Sequence, residues 1–384
     1  MKVLFLTDSL SDLDGVGRYA MRLIAAMEAQ TPGMEVHVLL ARKHRPTSEQ
    51  VPSHWKVEVA LPPDYFFYMS PLRFLVSLWL AVWRVRRAAK SADVVHAIKD
   101  YPHNLAGYLG ARLAGKPCVA TAHGTYTIQP LLADRHAARA RQTYAGFASM
   151  ISVSRYTRGR LLELMPELEE RVSVIPNAVA AEHYEAARSI GERPWHGHAF
   201  TLSIGEVKER KGHHLALAAW CRVASTRPEL HHFVVGKRSG DEYEHSLRAL
   251  ADEAGVGDRL HFLGNIDEDE KIDLLQRCLA FTHTPVTASD GGFEGFGIVY
   301  LEASAAGVPV LGTRDCGAED AIEDGATGFL VEQDVDAVEP ALARLVDDAE
   351  LRGRMGAEGR RFARSMSWEA NAARVLELYR EALS

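Results

Sequence analysis

The sequence predicts an α/β protein built from two Rossmann-like, doubly wound domains. The chain has 384 residues, and a single hydrophobic core seldom grows beyond roughly 250–300 residues. Short apolar runs alternate along the chain with longer stretches of helical periodicity. This alternation is typical of parallel sheets covered by helices on both faces. A polar stretch containing glycine and proline interrupts it near residues 189–197, which indicates a domain boundary.

Composition excludes several classes of protein. The chain is 47% hydrophobic and 25% charged, as in globular proteins rather than disordered or fibrous ones. Its formal net charge of −7 offers no general basic surface for nucleic acid. The four cysteines form no CxxC pair, which argues against a zinc ribbon or a disulfide framework and favours a reducing, cytoplasmic location.

In the first half, strands are predicted where apolar residues run almost without interruption. These strands are Val3–Thr7, Val36–Leu40, Val94–Ala97, Cys118–Ala122, Met150–Val153 and Val172–Ile175. Between them, helical spacing is found at Arg18–Gln30 and Leu105–Ala114.

The same pattern restarts after residue 190. The predicted strands are Phe200–Ile204, Phe233–Val235, Leu260–Phe262, Leu279–Phe281, Val308–Leu311 and Gly328–Val331. The predicted helices are Leu215–Ser225, Tyr243–Ala254 and the amphipathic Trp368–Leu383. We therefore expect a first domain at 1–190 and a second at 191–367, with ligands bound at the carboxyl ends of the strands, in a cleft between the domains.

Residues 73–90 raise the question of membrane contact. Phe74–Trp83 is apolar except for Ser77, and basic residues follow it: Arg84, Arg86, Arg87 and Lys90. The segment is well short of the roughly 20 apolar residues that a membrane span needs. We expect a helix buried on most sides. The alternative is a basic, aromatic face that rests on anionic lipid at the inner face of a membrane, near a lipid-linked acceptor.

The strongest candidate for a binding site is the run GFEGFGIVYLEA at 292–303. Gly295 and Gly297 allow the backbone to approach a ligand closely. A helix that begins there directs its first N–H groups and its positive dipole end at that ligand, which suits a diphosphate. Glu294 precedes the helix and Glu302 lies within it. Two carboxylates suit the vicinal hydroxyls of a sugar and a ribose, so we expect a nucleotide-sugar site.

EGFGIVYLEA resembles the signature of the retaining GT-B glycosyltransferases of family 4 (glycosyl transferases group 1), in which two glutamates lie eight positions apart. Further matches follow in the same order: Asp14–Gly17, His123-Gly124, Ser152–Ser154, Val174–Val179, Lys211-Gly212, Thr327–Val331 and Ser367–Glu369. The resemblance implies a GT-B fold with an acceptor-binding first domain, a donor-binding second domain and a terminal helix at 368–384 that crosses back to the first. It also implies a metal-independent, retaining hexosyltransferase in the synthesis of cell-surface polysaccharide, glycan or glycolipid.

The resemblance implies roles for individual residues. The catalytic residues would be Glu294 at the transferred sugar, His123 hydrogen-bonded near it, and Lys211 at the diphosphate. Glu302 would hold the ribose. Gly15, Val16 and Gly17 would press backbone amides against the phosphate or sugar. Apart from the resemblance, we expect donor contacts at the helix start from Gly295, Phe296, Gly297 and Ile298, further contacts from Lys208 or Arg210, and contacts with the base around Gly264, Asn265 and Ile266.

One position departs from the family pattern. The family commonly has Gly-Arg a few residues before Lys-Gly, and here that pair is Gly205-Glu206. A carboxylate cannot bind phosphate directly. Either Lys208 or Arg210 substitutes for the arginine, or Glu206 pairs with Lys211, or the donor differs, or activity is weakened. A non-catalytic sugar-nucleotide-binding subunit therefore stays open, as does a nucleotide-sugar epimerase or hydrolase on the same scaffold.

The histidine pairs do not predict a metal site. His213-His214, His231-His232 and His196-x-His198 lack the HExxH arrangement and an evident third ligand, and no Asp-x-Asp motif stands where a metal-dependent transferase needs one. We expect no metal and no cofactor. The expected partners are a nucleotide-sugar donor and a glycan, lipid-linked or small-molecule acceptor, and the base, the sugar and the acceptor stay open.

Overall fold

The computed structural model describes residues 1–11, 15–41 and 51–384, without the side chain of Asp64. This part of the chain forms two compact units, Met1–Asn177 with Trp368–Ser384 and Ala178–Ser367. The second unit therefore begins before the expected position of residue 191. The reason is the short helix Ala181–Glu185, which packs against two helices of the second unit.

The first unit has a seven-stranded parallel sheet within the described residues. Its strands are β1 (Lys2–Thr7), β2 (Glu35–Ala41), β3 (Lys56–Leu61), β4 (Val94–Ala97), β5 (Cys118–Ala122), β6 (Ser149–Ser152) and β7 (Val172–Val174). Its first six helices are α1 (Gly15–Gln30), α2 (Pro71–Ala89), α3 (His103–Leu113), α4 (Thr125–Leu132), α5 (Ala137–Ala145) and α6 (Arg155–Leu164). The sheet order β3-β2-β1-β4-β5-β6-β7 reverses the winding direction between β1 and β4.

The second unit has a six-stranded parallel sheet within the described residues. Its strands are β8 (Ala199–Ile204), β9 (Leu230–Val235), β10 (Leu260–Gly264), β11 (Ala280–Thr282), β12 (Val310–Thr313) and β13 (Gly328–Val331). Its helices are α7 (Ala181–Glu185), α8 (His213–Ala224), α9 (Glu242–Glu253), α10 (Glu268–Arg277), α11 (Ile298–Ala306), α12 (Val335–Asp347) and α13 (Ala349–Ser365). The order β10-β9-β8-β11-β12-β13 reverses the winding direction between β8 and β11.

The last helix, α14 (Trp368–Leu383), belongs to the first unit, where it packs against α1 and beside β4 to β6. A buried polar network holds it there. The Tyr379 hydroxyl lies 2.6 Å from Nδ1 of His96, and Nε2 of His96 lies 2.8 Å from Oγ1 of Thr121. Burial lowers the pKa of His96 to about 3, so the ring is neutral. Because both ring nitrogens of His96 have a partner, the network fixes the position of α14 against the sheet.

Every strand predicted from an apolar run is present, with ends displaced by at most three residues. One observed strand, β3, was not predicted, because no apolar run marks it. It is an edge strand in which the exposed Lys56 and Glu58 alternate with Val57 and Val59, and only its last two residues are buried. An edge strand with one partner strand needs no continuous apolar run.

The structure of α2 contradicts the expectation of a helix buried on most sides. Its inner face is buried through Phe74, Leu78, Ala81, Val82, Val85 and Ala89. A second apolar face is exposed through Leu72, Leu75, Val76, Trp79, Leu80 and Trp83. These residues are spaced by three or four positions where they succeed one another on a helix turn, so they form one stripe. In the part of the chain that the structure describes, no helix is long and apolar enough to span a bilayer.

Candidate functional site

The loops at the carboxyl edge of the second unit's sheet bring the principal predicted donor residues together. Gly205 follows β8 and His283 follows β11, and these two strands flank the point where the winding reverses. Doubly wound sheets bind ligands outside the strand ends at this point. The start of α11 is fixed there as well, because the Tyr300 hydroxyl donates a 2.5 Å hydrogen bond to the carbonyl oxygen of His283.

Glu294 is the centre of the site. Its side chain is buried, and its Oε2 lies 2.5 Å from Nζ of Lys211, 3.5 Å from Nε2 of His283 and 4.0 Å from Nη1 of Arg210. Burial raises the pKa of Glu294, but the charge of Lys211 and the neighbouring His283 and Arg210 outweigh burial and hold the pKa well below its ordinary value. The group is therefore a carboxylate, able to accept hydrogen bonds from hydroxyl groups.

A close contact between two loops places Lys211. Gly212 has a φ of 67°, and a Cβ there would lie 1.6 Å from the carbonyl oxygen of Thr284. The Thr284 hydroxyl donates a 2.9 Å hydrogen bond to the carbonyl oxygen of Gly212. Only glycine fits this position. The Lys-Gly pair is thus explained by packing of the turn against the loop after β11, which brings Lys211 to Glu294.

The other glycines of the motif allow a similar approach at the start of α11. Gly297 has a φ of 81°, and a Cβ there would lie 2.6 Å from the Tyr300 ring. The N–H of Gly317, in the loop after β12, donates a 2.9 Å hydrogen bond to the carbonyl oxygen of Glu294. The predicted phosphate-binding segment Gly295–Ile298 therefore lies directly before and at the first residue of α11, at the positive end of its dipole.

Glu302 has a partner that the sequence does not reveal. It is fully buried within α11, and its Oε2 lies 3.2 Å from Nζ of Lys271 on α10. Lys271 also lies 2.9 Å from the Glu268 carboxylate and 3.3 Å from the Tyr184 hydroxyl. This pair ties α11 to α10. The contact of Glu302 with a ribose stays a prediction. No pattern in the sequence distinguishes Lys271 from an ordinary helix lysine.

The structure contradicts the pairing of Glu206 with Lys211. The Glu206 carboxylate lies 2.9 Å from Nζ of Lys208 and 4.0 Å from Nζ of Lys237, whereas Lys211 pairs with Glu294. Lys208 is thus held by Glu206. Of the two basic residues predicted to replace the family arginine, Arg210 is the one placed beside Glu294.

The residues predicted near the base lie on the same edge, two strands from β8. Gly264 ends β10 with a φ of 72°, and its carbonyl oxygen accepts a 2.8 Å hydrogen bond from the N–H of Gly236. Asn265 is exposed and Ile266 half-buried. Their contact with a base stays a prediction.

In the first unit, His123 directly follows β5. Its Nε2 lies 3.0 Å from the carbonyl oxygen of Ile98, so that nitrogen carries the hydrogen and donates it. Its backbone N–H lies 3.4 Å from Oδ1 of Asp100. Burial lowers the pKa of His123 although the Asp100 charge opposes this, which leaves the ring neutral. The protein thus fixes which tautomer His123 presents.

The glycine-rich segment of the first unit forms the first turn of α1, which begins at Gly15 and continues through Val16 and Gly17. A Cβ on Gly17 would lie 2.7 Å from the carbonyl oxygen of Ser11, so the loop after β1 needs glycine there. Asp14 of the same motif lies outside the described residues.

No cluster of three or more His, Cys, Asp or Glu side chains in the described residues could hold a metal ion. The four cysteines, all of them described, are buried and free.

Comparisons with known proteins place the chain. The family described as Glycosyltransferase Family 4 matches residues 13–183, and Glycosyl transferases group 1 matches 191–362. A GDP-mannose-dependent alpha-(1-6)-phosphatidylinositol monomannoside mannosyltransferase of Mycolicibacterium smegmatis is 30% identical over 290 residues, which cover 72% of this chain and 73% of the relative. A glycogen synthase of Mycobacterium tuberculosis is 27% identical across 96% of this chain and 91% of its own.

Solved structures agree in fold. Anabaena Alr3699/HepE, in complex with UDP and glucose, matches with a TM-score of 0.77 at 20% identity over 98% of both chains. Together with the two parallel Rossmann-like sheets, this match identifies the fold as GT-B. The chain belongs to the family 4 (group 1) glycosyltransferases, enzymes that transfer a sugar from a nucleotide-sugar donor.

Proposed function

We propose that this glycosyltransferase retains the configuration of the transferred sugar, works without a metal ion and uses Glu294 to hold the sugar. The supporting observation is the single carboxylate oxygen of Glu294 with Lys211 at 2.5 Å and Arg210 at 4.0 Å. A sugar joined to a diphosphate requires a buried carboxylate to accept hydrogen bonds from its hydroxyl groups, and cations to bind its phosphates. Glu294, Lys211 and Arg210 provide both.

In this mechanism the acceptor hydroxyl attacks the anomeric carbon on the face that the diphosphate leaves. The bond from that carbon to the phosphate oxygen breaks, and the departing diphosphate takes up the acceptor's proton. Lys211, Arg210 and the first turn of α11 stabilise the negative charge of the leaving group. These groups supply the positive charge for which other transferases use a metal. We propose that His123 forms a hydrogen bond with the transferred sugar.

We propose GDP-mannose as the donor and a phosphoinositol glycolipid as the acceptor, because a relative that shares 30% identity carries both in its name. UDP-glucose and a growing polysaccharide are the alternatives, since the fold neighbour binds UDP and glucose and another relative is a glycogen synthase. Thermal shifts with GDP-mannose, UDP-glucose and ADP-glucose separate these donors. A ligand at 100 times its Kd stabilises the native state by about 2.7 kcal/mol.

The experiment that tests the role of Glu294 is the Glu294→Gln variant. A hydrogen bond to a charged group contributes about 1.5–3 kcal/mol, so turnover should fall roughly 10- to 150-fold. The Kd for GDP should change little, because Lys211 and Arg210 remain. Glu350→Gln, at an exposed position on α13, is the matched control. Unchanged sugar transfer by the Glu294 variant would contradict the assignment.

Two further measurements test the chemistry. The anomeric configuration of the product, determined by NMR, should match that of the donor. Turnover should persist in excess chelator. Incubation with the donor alone distinguishes the transferase from its alternatives: an altered sugar nucleotide indicates an epimerase, and rapid release of free sugar indicates a hydrolase.

We further propose that α2 rests on the surface of an anionic membrane at its inner face. Its exposed stripe contains two tryptophans, Trp79 and Trp83, which are 60% and 48% exposed. The helix carries no acidic residue, and the guanidinium of Arg86 lies 4.7 Å from the centre of the Trp83 ring. Arg73, Arg87 and Lys90 are exposed. Apolar and aromatic side chains flanked by cations are typical of helices that bind anionic lipid.

Cosedimentation with vesicles tests this surface. The Trp79→Ser/Trp83→Ser variant should lose most binding to vesicles containing 30 mol% phosphatidylinositol, and binding of the unaltered chain should weaken with salt. Leu383→Gln, at an exposed leucine on α14, should bind like the unaltered chain. The alternative is that the stripe binds a second copy of the chain. In that case the unaltered chain would form a dimer and would not bind vesicles, and the tryptophan variant would lose the dimer at every salt concentration.

A further inference from the structure

His283 is a buried polar residue to which the proposed mechanism assigns no role. It follows β11 at the winding reversal, and its side chain is only 1% exposed. Within the described part of the chain, neither ring nitrogen meets the geometry of a hydrogen bond, although Nε2 lies 3.5 Å from Oε2 of Glu294. A buried polar group without a hydrogen bond costs roughly 1–3 kcal/mol. Such a group calls for an explanation, and a change of partners during function is one.

The ring of His283 is held in place by its surroundings. The Tyr300 hydroxyl binds the His283 carbonyl oxygen at 2.5 Å, and the Tyr300 ring lies 5.3 Å from the imidazole. On another side, a Cβ on Gly205 would lie 3.7 Å from Cε1 of His283, an ordinary contact distance. The imidazole therefore has little freedom to find a partner other than the carboxylate beside it.

The protonation state of His283 leaves it one ring N–H that can donate a hydrogen bond. Burial lowers its pKa, the nearby Glu294 carboxylate raises it, and Lys211 and Arg210 lower it further, with a net lowering. The ring is neutral at pH 7 and has one N–H. Placed on Nε2, that hydrogen lies on the nitrogen that is 3.5 Å from the carboxylate that Lys211 neutralises.

Binding of the nucleotide sugar gives Lys211 a second anionic partner. In the proposed function, the same ammonium serves both the Glu294 carboxylate and the diphosphate. A diphosphate carries more negative charge than a carboxylate, so we expect Lys211 to move toward the phosphate when the donor binds. Glu294 then stays buried and ionised with a weaker ion pair, at the moment when it must hold the sugar.

We propose that His283 is a positioning residue whose Nε2–H holds the Glu294 carboxylate against the transferred sugar while Lys211 binds the diphosphate. This inference rests on the proposed function of Glu294. His283 itself touches neither donor nor acceptor. It acts by keeping one carboxylate oxygen in place, so that the other accepts hydrogen bonds from the sugar hydroxyls.

The test compares the affinities for a nucleotide sugar and for its nucleotide diphosphate. Calorimetry would give the Kd of GDP-mannose and GDP, with UDP-glucose and UDP as the second pair. The gain in affinity from the sugar is the ratio of the Kd of the diphosphate to the Kd of the nucleotide sugar. In His283→Phe, which keeps a flat ring but has no N–H, this gain should fall about tenfold, as expected for loss of one charge-assisted hydrogen bond. The Kd for the diphosphate alone should change less than twofold. His283→Gln, which restores an N–H at a similar reach, should recover most of the gain.

His232→Phe is the matched control for packing. His232 is a buried histidine in β9 of the same unit, and its Nδ1 lies 2.7 Å from Oγ1 of Thr201. The His232 variant should lower Tm and leave the gain in affinity from the sugar unchanged. In a Glu294→Gln background, His283→Phe should have no further effect on that gain, because both changes remove the same interaction.

Each outcome is decisive. If the unaltered chain binds neither diphosphate, the proposed function fails, and the role of His283 fails with it. If the unaltered chain shows a gain from the sugar and His283→Phe keeps it, only the positioning role fails. Equal loss in the Phe and Gln variants would assign His283 to packing and would also overturn the inference.

Discussion

Replacing Lys271 by methionine is expected to destabilise the second unit by about 3–5 kcal/mol, the typical cost of removing one partner of a buried ion pair. The pair joins Nζ of Lys271 to Oε2 of Glu302 at 3.2 Å, and Glu302 has no exposed surface. Without the ammonium, the carboxylate remains in a site closed to water. It must then stay charged without the Lys271 ammonium or take up a proton, and both raise the free energy of the native state.

The corresponding shift in Tm follows from the size of the unit. Residues 178–367 form a unit of about the size for which 1 kcal/mol corresponds to roughly 2–4 °C. Lys271→Met should therefore lower Tm by roughly 6–20 °C. The partner change Glu302→Leu should be similarly costly, because it removes the buried carboxylate of the pair and leaves Lys271 beside the partly exposed Glu268.

The assay is a double-mutant cycle read by thermal and urea unfolding. A hydrophobic pair of similar volume often matches or exceeds a buried ion pair in stability, so Lys271→Met/Glu302→Leu should recover most of what each single change loses. Arg354→Met, from an exposed pair with Glu350, is the control and should change the free energy of unfolding by less than about 1 kcal/mol. Losses that simply add in the double variant would refute the coupling.

The same double variant tests whether Glu302 also holds a ribose. If it does, the unaltered chain should bind GDP more tightly than 2′-deoxy-GDP, and the stable double variant should bind the two alike. If both proteins bind them alike, the role of Glu302 is to join α11 to α10 and the predicted ribose contact is wrong.

Three other changes have definite expected outcomes. Burial lowers the pKa of His96, His213 and His232 to about 3 each. Because the unfolded chain takes up these protons below its ordinary histidine pKa of about 6.5, the free energy of unfolding should fall by about 2 kcal/mol per histidine between pH 7.5 and pH 5, measured by urea titration; a flat profile would contradict this. Arg210→Met should raise the Kd for GDP about tenfold by calorimetry, as expected for loss of one charge-assisted contact, whereas equal binding would exclude Arg210 from the phosphate site. Gly297→Ala should lower Tm, since its φ of 81° and the Tyr300 ring at 2.6 Å both oppose a Cβ, and an unchanged Tm would contradict the packing.

The fold was predictable because its strands are buried on both faces and so leave apolar runs in the sequence. The runs at β1, β4 and β5 show this, whereas β3 at the sheet edge leaves only a weak alternation. The exposed stripe of α2 was not predictable, because an apolar residue has the same appearance in sequence whether or not a neighbour covers it. Which face is covered depends on the packing of α2 against α3.

The geometry of the candidate site was predictable where glycine marks a close approach and not where the partners are distant in sequence. Gly212 and Gly297 signal their turns because no other residue fits them. Lys271 and Glu302 are separated by 31 positions, and their pairing depends on the seat of α10 beside α11. Lys211 follows β8 and Glu294 follows β11, so they meet because β8 lies next to β11 in the sheet order, a fact that no local pattern contains.

The replacement of the family arginine by Glu206 is explained by the charges around it. Glu206 lies at 2.9 Å from Lys208 and 4.0 Å from Lys237, so its charge is balanced away from Glu294. Arg210 lies 4.0 Å from Glu294 through the turn that also carries Lys211. Two cations and one carboxylate leave a net positive charge there, the sign that a diphosphate requires. We therefore propose that Arg210, four residues along the chain from Glu206, takes the place of the family arginine at the diphosphate.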